Sequence, residues 1–199
     1  MQRFTAACAQ FAVTPMDAAA NTTKSVAWTH RAADESGAQL IVLPETVTTA
    51  FVPDVGPSGL WDGVDTLPGR FSEPIQKAAQ ALGVYVVFPS YERGAERGIV
   101  YNSAALIGPA GDVLGVYRKT HLFPTERIIP AAAPCQTPAC GWSTPGHEPV
   151  VIHTPLASIG LAICYDGDFP ELFRAMAIMG AEVICRPSML TRSFEIWEL

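Results

Sequence analysis

The chain has 199 residues, 49% hydrophobic and 16% charged, with 13 Lys and Arg against 19 Asp and Glu for a net charge of −6. These figures exclude a disordered tail or a charged coiled coil and describe a compact chain of one domain or two. The acidic balance has the wrong sign for a phosphate backbone, so no nucleic-acid partner is expected.

Phe4 to Val13 is small and apolar and reads as a first strand, with Thr14-Pro15 offering a helix cap and a first-turn proline. Val26, Ala27, His30 and Ala33 then fall on one helical stripe, and Gly37 is placed to end that helix. Leu40-Ile41-Val42-Leu43 is an unbroken apolar run, the mark of a strand buried on both faces, and Glu45 sits just past its end. Residues 51–70 are rich in proline and glycine and read as a loop. Ile75, Ala78, Ala79 and Leu82 restore helical spacing, Gly83 closes the helix, and Val84 to Phe88 is the next strand. Val100 to Ile107 and Val113 to Arg118 flank Gly108-Pro109-Ala110-Gly111-Asp112 and form a hairpin, with Lys119 at its exit.

Thr120 to Pro155 is proline-rich and without periodicity, a long irregular segment of the kind that usually serves function. Ile159 to Ile163 is another buried strand followed directly by Cys164. Pro170 opens a helix with Leu172, Phe173 and Met176 inward, Gly180 ends it, and Val183-Ile184-Cys185 begins one more strand. The alternation predicts a mixed sheet covered by helices, with a second sheet packed against the first to cover strands such as Leu40 to Leu43. Ser193 to Leu199 begins an amphipathic helix with no closing signal, so the expectation is a single domain, residues 1–199, that is incomplete at its C-terminal side.

Chemistry in α/β architectures collects at the carboxyl ends of strands. Glu45, Lys119 and Cys164 occupy such ends. A thiol, a carboxylate and an ammonium together supply a nucleophile, a proton acceptor and an oxyanion stabiliser, which suffices for acyl transfer. Taken singly, each has a plainer role: a buried small hydrophobe for the cysteine, a solvated charge for the other two.

Leu43-Pro44-Glu45, Tyr117-Arg118-Lys119-Thr120-His121-Leu122-Phe123, and Cys164-Tyr165-Asp166 with Phe169-Pro170-Glu171 resemble the three signatures of the nitrilase superfamily of carbon-nitrogen hydrolases, in that family's order. The resemblance runs from the first strand to Leu199. It implies an α/β fold, a four-layer α-β-β-α sandwich of two mixed sheets flanked by helices, and it assigns the catalytic glutamate, lysine and cysteine to Glu45, Lys119 and Cys164. A second family glutamate falls on Glu126, within Phe123-Pro124-Thr125-Glu126-Arg127. The implied reaction is attack of Cys164 on a carboxamide while Glu45 takes the thiol proton. Lys119 and the backbone N–H of Tyr165 would stabilise the oxyanion, and Glu126 would orient the substrate or the lysine. The thioester is then hydrolysed, with no metal or organic cofactor.

Val183 to Met189 followed by Glu195-Ile196-Trp197 looks more like the aliphatic amidase and formamidase side of the superfamily than like nitrilases. The expected partner is therefore a small-molecule amide, with Phe51, Trp142, Tyr165 and Met189 as pocket walls. A nitrilase, and a catalytically silent fragment or interaction subunit, are the alternatives. Cys135, Cys140 and His147 invite a zinc reading, but the spacing is wide and a fourth ligand is lacking. Asp166 and Asp168 read as turn and cap residues, and His121 and His153 as loop hydrogen-bonding groups. No apolar run reaches the roughly 18 residues of a membrane-spanning helix. The five cysteines, odd in number and scattered, make no disulfide framework. With Met1-Gln2-Arg3-Phe4 opening no signal peptide, a cytoplasmic protein is expected, and the resemblance adds a homo-oligomer.

Overall fold

In the computed structural model, residues 3–52, 55–126 and 141–189 are described. Two sheets form. The first holds β1 (Ala6–Cys8), β2 (Leu40–Val42), β3 (Tyr85–Arg93), β4 (Val100–Ile107) and β5 (Val113–Arg118) in that spatial order. β1, β2 and β3 run parallel, and β3, β4 and β5 form an antiparallel meander. The second sheet has the order β6 (Val150–His153), β7 (Ser158–Leu161) and β8 (Val183–Cys185), with β7 and β8 parallel.

Strand periodicity explains why two sheets are needed. Successive side chains of a strand face opposite sides, and here both sides are buried. Leu40, Tyr85, Val87, Ala104, Leu106 and Tyr117 share one cluster with Ile159 and Leu161 of the second sheet. Their neighbours Ile41, Val86, Phe88 and Ile107 pack the other way, onto Ile75 and Ala79 of α3 (Glu73–Leu82) and the half-buried Trp28 and Ala32 of α1 (Ala18–Ser36). On the second sheet, Gly160 faces Met176 of α4 (Pro170–Ile178) at van der Waals range, opposite the inward Ile159 and Leu161. The layers run helix, sheet, sheet, helix, the architecture expected from the strand pattern and the motif resemblance.

Several local expectations are corrected. The first strand is short. Thr14-Pro15 does not start α1: Met16 turns the chain through a left-handed φ of 54°, and the Asp17 carboxylate caps the helix by accepting from the Ala20 N–H at 3.1 Å. Of the Val26-Ala27-His30-Ala33 stripe only Val26 and Ala33 pack, half-buried, on the core, and the fully buried face of α1 includes the polar Asn21, Ser25 and Thr29. Each of these polar groups is satisfied internally. Ser25 and Thr29 donate to carbonyls one turn back at 2.8 Å, and the Asn21 amide donates to Thr14 and Thr48 carbonyls at 2.7 and 2.9 Å. A polar stripe of this kind is invisible to hydrophobic periodicity. The 51–70 stretch holds a short helix, α2 (Pro57–Gly63), and the irregular 120–155 segment ends in β6. Gly37 and Gly83 do terminate their helices, both with left-handed φ.

Leu106, fully buried between the sheets, is expected to cost about 2–5 kcal/mol on truncation to alanine. Leu114→Ala, at an exposed site, should stay within about 0.5 kcal/mol. Chemical denaturation midpoints compare the two.

Candidate active site

β3, β4 and β5 bring three polar residues into one row. Tyr91 is paired with Asn102 across the β3–β4 ladder, and the Lys119 N–H donates to the Asn102 carbonyl at 2.8 Å just beyond β5. Glu45 enters the same space from the end of β2. Glu126 arrives from the segment after Lys119, its own carbonyl tied to the N–H groups of Trp142 and Ser143 at 3.0 and 2.9 Å. Cys164 comes from the side of the second sheet, three residues beyond the end of β7.

Lys119 is completely enclosed, its Nζ donating to Glu126 Oε2 at 2.9 Å and to Glu45 Oε1 at 3.2 Å. The two carboxylates are equally buried. Asn102 Nδ2 donates to Glu126 Oε1 at 2.7 Å and Glu45 Oε1 at 3.0 Å, the Met189 N–H donates to Glu45 Oε2 at 2.7 Å, and the Phe123 N–H to Glu126 Oε2 at 3.3 Å. Burying such charges is tolerable only with this density of partners, since a single buried ion pair barely recovers its desolvation cost.

Cys164 sits on a sharp elbow with φ of 44°, a left-handed conformation that a non-glycine residue adopts only when its surroundings impose it. They do so here. Its N–H donates to the Pro187 carbonyl at 2.9 Å, and Arg186 Nη1 donates to its carbonyl at 3.2 Å. Gly167 has no room for a Cβ because the Arg186 guanidinium lies there. Asp166, fully buried, ties the elbow to the exit of β5. Its carboxylate accepts from the Ile163 N–H and Tyr117 hydroxyl at 2.8 Å and from the His121 N–H at 3.0 Å. The turn role expected for Asp166 is thus a bridge between the lysine-bearing strand and the cysteine-bearing turn.

The electrostatics follow from burial. Desolvation opposes the Lys119 charge, but the Glu45 and Glu126 carboxylates prevail and hold its pKa above the ordinary lysine value. Burial raises the Glu126 carboxyl, with Lys119 pulling it back and Glu45 pushing it further up. The Cys164 thiol is pushed up to about 12, first by burial and then by the Glu45 carboxylate, against the opposing pull of Lys119. A thiol so placed is neutral at physiological pH.

A chain of aromatic rings extends from Tyr165, the residue after Cys164. Phe51 meets Trp142 and Phe123 edge-on at 5.1 and 6.5 Å, and Tyr165 meets Phe123 and Phe169 edge-on at 5.4 Å. Trp142 is wholly buried behind Phe51 and donates to the Tyr91 hydroxyl at 2.8 Å, while the Phe51 N–H points at Met189 Sδ, 3.3 Å away. His121 stacks on Phe169 at 3.9 Å, and His153 bonds Ser158 at 2.9 Å, away from the carboxylates. Cys135 and Cys140, and the motif residues Glu195 to Trp197, lie outside the described residues. Among those described, no group of three or more His, Cys, Asp or Glu is placed to hold a metal, and no helix is long and apolar enough to cross a membrane. Sequence reasoning missed Asn102, Phe123, Tyr91 and Arg186. A polar Asn102-Ser103 pair inside an otherwise apolar strand was the available signal for the first.

Residues 5–199 match the family model described as carbon-nitrogen hydrolase. The chain belongs to the carbon-nitrogen hydrolase family. This hydrolase is 29% identical to omega-amidase NIT2-B of Xenopus laevis over 201 residues, spanning 100% of the chain and 69% of that protein. Nit3 of Saccharomyces cerevisiae, described as a member of branch 10 of the nitrilase superfamily, aligns with a TM-score of 0.75 and 22% identity over 94% of the chain and 65% of its own. A mutant of the amidase from Nesterenkonia sp. AN1, carrying covalent addition of the acetamide moiety of fluoroacetamide at its active-site cysteine, aligns at TM-score 0.72 and 23% identity over 95% and 66%. The hydrolase chain thus spans about two thirds of the length of these relatives.

Because the thiol's pKa is raised, the rate of Cys164 carboxymethylation by iodoacetate should keep climbing above pH 9, where a free cysteine of pKa about 8.5 levels off. A plateau below pH 9, read by peptide mass spectrometry, would contradict the buried neutral thiol. Lys119→Met leaves two enclosed carboxylates without their cation and should destabilise the fold by about 3–5 kcal/mol in urea titrations.

Proposed function

We propose that this hydrolase is an amidase that cleaves the C–N bond of a small or moderate carboxamide to an acid and ammonia through a thioester on Cys164. The observation that carries the reading is the enclosed Glu45–Lys119–Glu126 cluster set against a thiol that burial keeps neutral. A neutral thiol needs a base at the moment of attack, and the Glu45 carboxylate hydrogen-bonds it. As Sγ bonds to the amide carbon, its proton passes to Glu45 and negative charge gathers on the former carbonyl oxygen. Two of the three Lys119 ammonium hydrogens engage Glu45 and Glu126. The third, with the N–H of Tyr165, meets the oxyanion. Glu45 returns the proton to the nitrogen as the C–N bond breaks and ammonia leaves. It then deprotonates the water that opens the thioester.

Glu126 keeps the ammonium in place. Phe51, Tyr165 and Met189 flank the acyl group, with Trp142 backing Phe51. No step calls for a metal or an organic cofactor. The covalent adduct in the Nesterenkonia amidase and the naming of the Xenopus relative as an omega-amidase both favour amide over nitrile. The same reading takes the enzyme as a cytoplasmic homo-oligomer, for which Ile178 and Met179, exposed at the end of α4, offer apolar contact surface.

The test is ammonia release from a panel of amides and nitriles, with intact-mass detection of an acyl adduct. Cys164→Ala is expected to lose both activity and adduct, and Glu45→Gln to lower kcat by about 10²–10⁴-fold. Hydrolysis of a nitrile with its cognate amide left untouched, or full activity in Cys164→Ala, overturns the assignment.

A further inference from the structure

Glu45 has four acceptor positions on its two oxygens, and their occupancy is uneven. Oε1 receives two donors, Lys119 Nζ at 3.2 Å and Asn102 Nδ2 at 3.0 Å, whereas Oε2 receives the Met189 N–H at 2.7 Å. The second Nδ2 hydrogen of Asn102 goes to Glu126 Oε1 at 2.7 Å. One amide therefore bridges both carboxylates. Its carbonyl end tells the same story. Oδ1 is buried without a hydrogen-bond partner, a costly state for a polar atom. Flipping the amide gives no relief, because Oδ1 would then face two carboxylate oxygens. An asparagine kept at this position for its donor end alone, at the expense of its acceptor end, is serving the carboxylates.

We propose that Asn102 is a positioning residue of the reaction: with Lys119 it fills both acceptor positions of Glu45 Oε1, so that Oε2 takes the thiol proton, and it fixes Glu126 relative to Glu45. The idea rests on the amidase reading for the identity of the base. Without the Asn102 bridge, Glu45 rotates and its free lone pair leaves the thiol's line of attack. The charged and titratable groups facing the bridge are Glu45, Glu126, Lys119, Tyr91 and Cys164.

Two variants test this on the full 199-residue chain, with circular dichroism confirming the fold of each. Asn102→Ala should lower kcat by about 100-fold, the scale of a misplaced catalytic group, with KM changed by less than about threefold. Asn102→Asp is nearly isosteric but sets a third carboxylate against two. Once protonated it donates again, so the ratio of its kcat to that of the native enzyme should rise as pH falls from 8 to 5.5, and the alanine variant should show no such rise. A purely structural asparagine would yield the same pH-independent loss in both, and that result, or alanine activity within threefold of native, overturns the proposal. Iodoacetamide alkylation of Cys164, read by mass, follows the same comparison without turnover. A native chain that alkylates at Cys164 but hydrolyses no amide refutes the amidase reading alone. Alkylation rates unchanged in both variants refute the role of Asn102.

Discussion

Everything around the site depends on one electrostatic constraint, the complete enclosure of the Lys119 ammonium. An ion moved from water into a protein interior forfeits several kcal/mol of hydration even after relaxation. One carboxylate at 3.2 Å would compensate only in part, and here a second stands at 2.9 Å. The second carboxylate creates its own difficulty, because two anions sharing a dry space repel. The Asn102 amide, the Met189 N–H and the Phe123 N–H answer that repulsion. Each donor belongs to a different stretch of chain, so the ion cluster holds β2, β4, β5, the 123–126 turn and the segment after β8 in one register.

That register in turn sets the position of Cys164. Cys164 lies on the side of the second sheet, and its position relative to Glu45 depends on how the two sheets are keyed together. Asp166 is one key, reaching from the elbow to Tyr117 and His121 at the end of β5. The other is the run from Arg186 to Met189, which grips the Cys164 carbonyl and N–H and ends on Glu45 Oε2. The left-handed φ at Cys164 is a local cost of roughly 1–3 kcal/mol, and a conformation of this kind survives only where such contacts over-determine it. The elbow held in this way sets the thiol beside the Glu45 carboxylate.

How much of this was legible beforehand follows from what each residue adjoins. Glu45, Lys119 and Cys164 stand out because each ends an apolar run, and the order of their three motif blocks carries the family and the layered fold. Asn102 does the opposite. It lies within a strand whose neighbours are buried, where a polar residue reads as an imperfection rather than a ligand for two carboxylates. The buried face of α1 escaped for a related reason: Asn21, Ser25 and Thr29 satisfy themselves through backbone carbonyls, so burial there leaves no hydrophobic period. β6 was hidden by the prolines around it, since its pairing with β7 is made by backbone groups that carry no sequence signal. Patterns of apolar residues disclose what faces the core, and the polar residues that the core accepts are disclosed only by their partners.

The electrostatic setting of Cys164 fits the proposed chemistry. A charge on the Cys164 sulfur would meet the Glu45 carboxylate as well as the Lys119 ammonium, in a buried setting that favours no charge at all. A standing thiolate is therefore disfavoured, in keeping with the upward shift of Cys164, where burial and Glu45 outweigh Lys119. A thiol–imidazolium pair would solve the problem the other way, by storing the thiolate beforehand. Storing it here would set a buried thiolate against the Glu45 carboxylate, the two influences that raise the Cys164 pKa. Under the proposed mechanism the sulfur instead stays neutral until a carbonyl is present to take up the charge, and proton and electron pair then move in opposite directions: the proton to Glu45, the electrons through carbon to an oxygen beside Lys119. On that mechanism negative charge never accumulates on sulfur, and the ammonium that was costly to bury is already in place where the charge arrives.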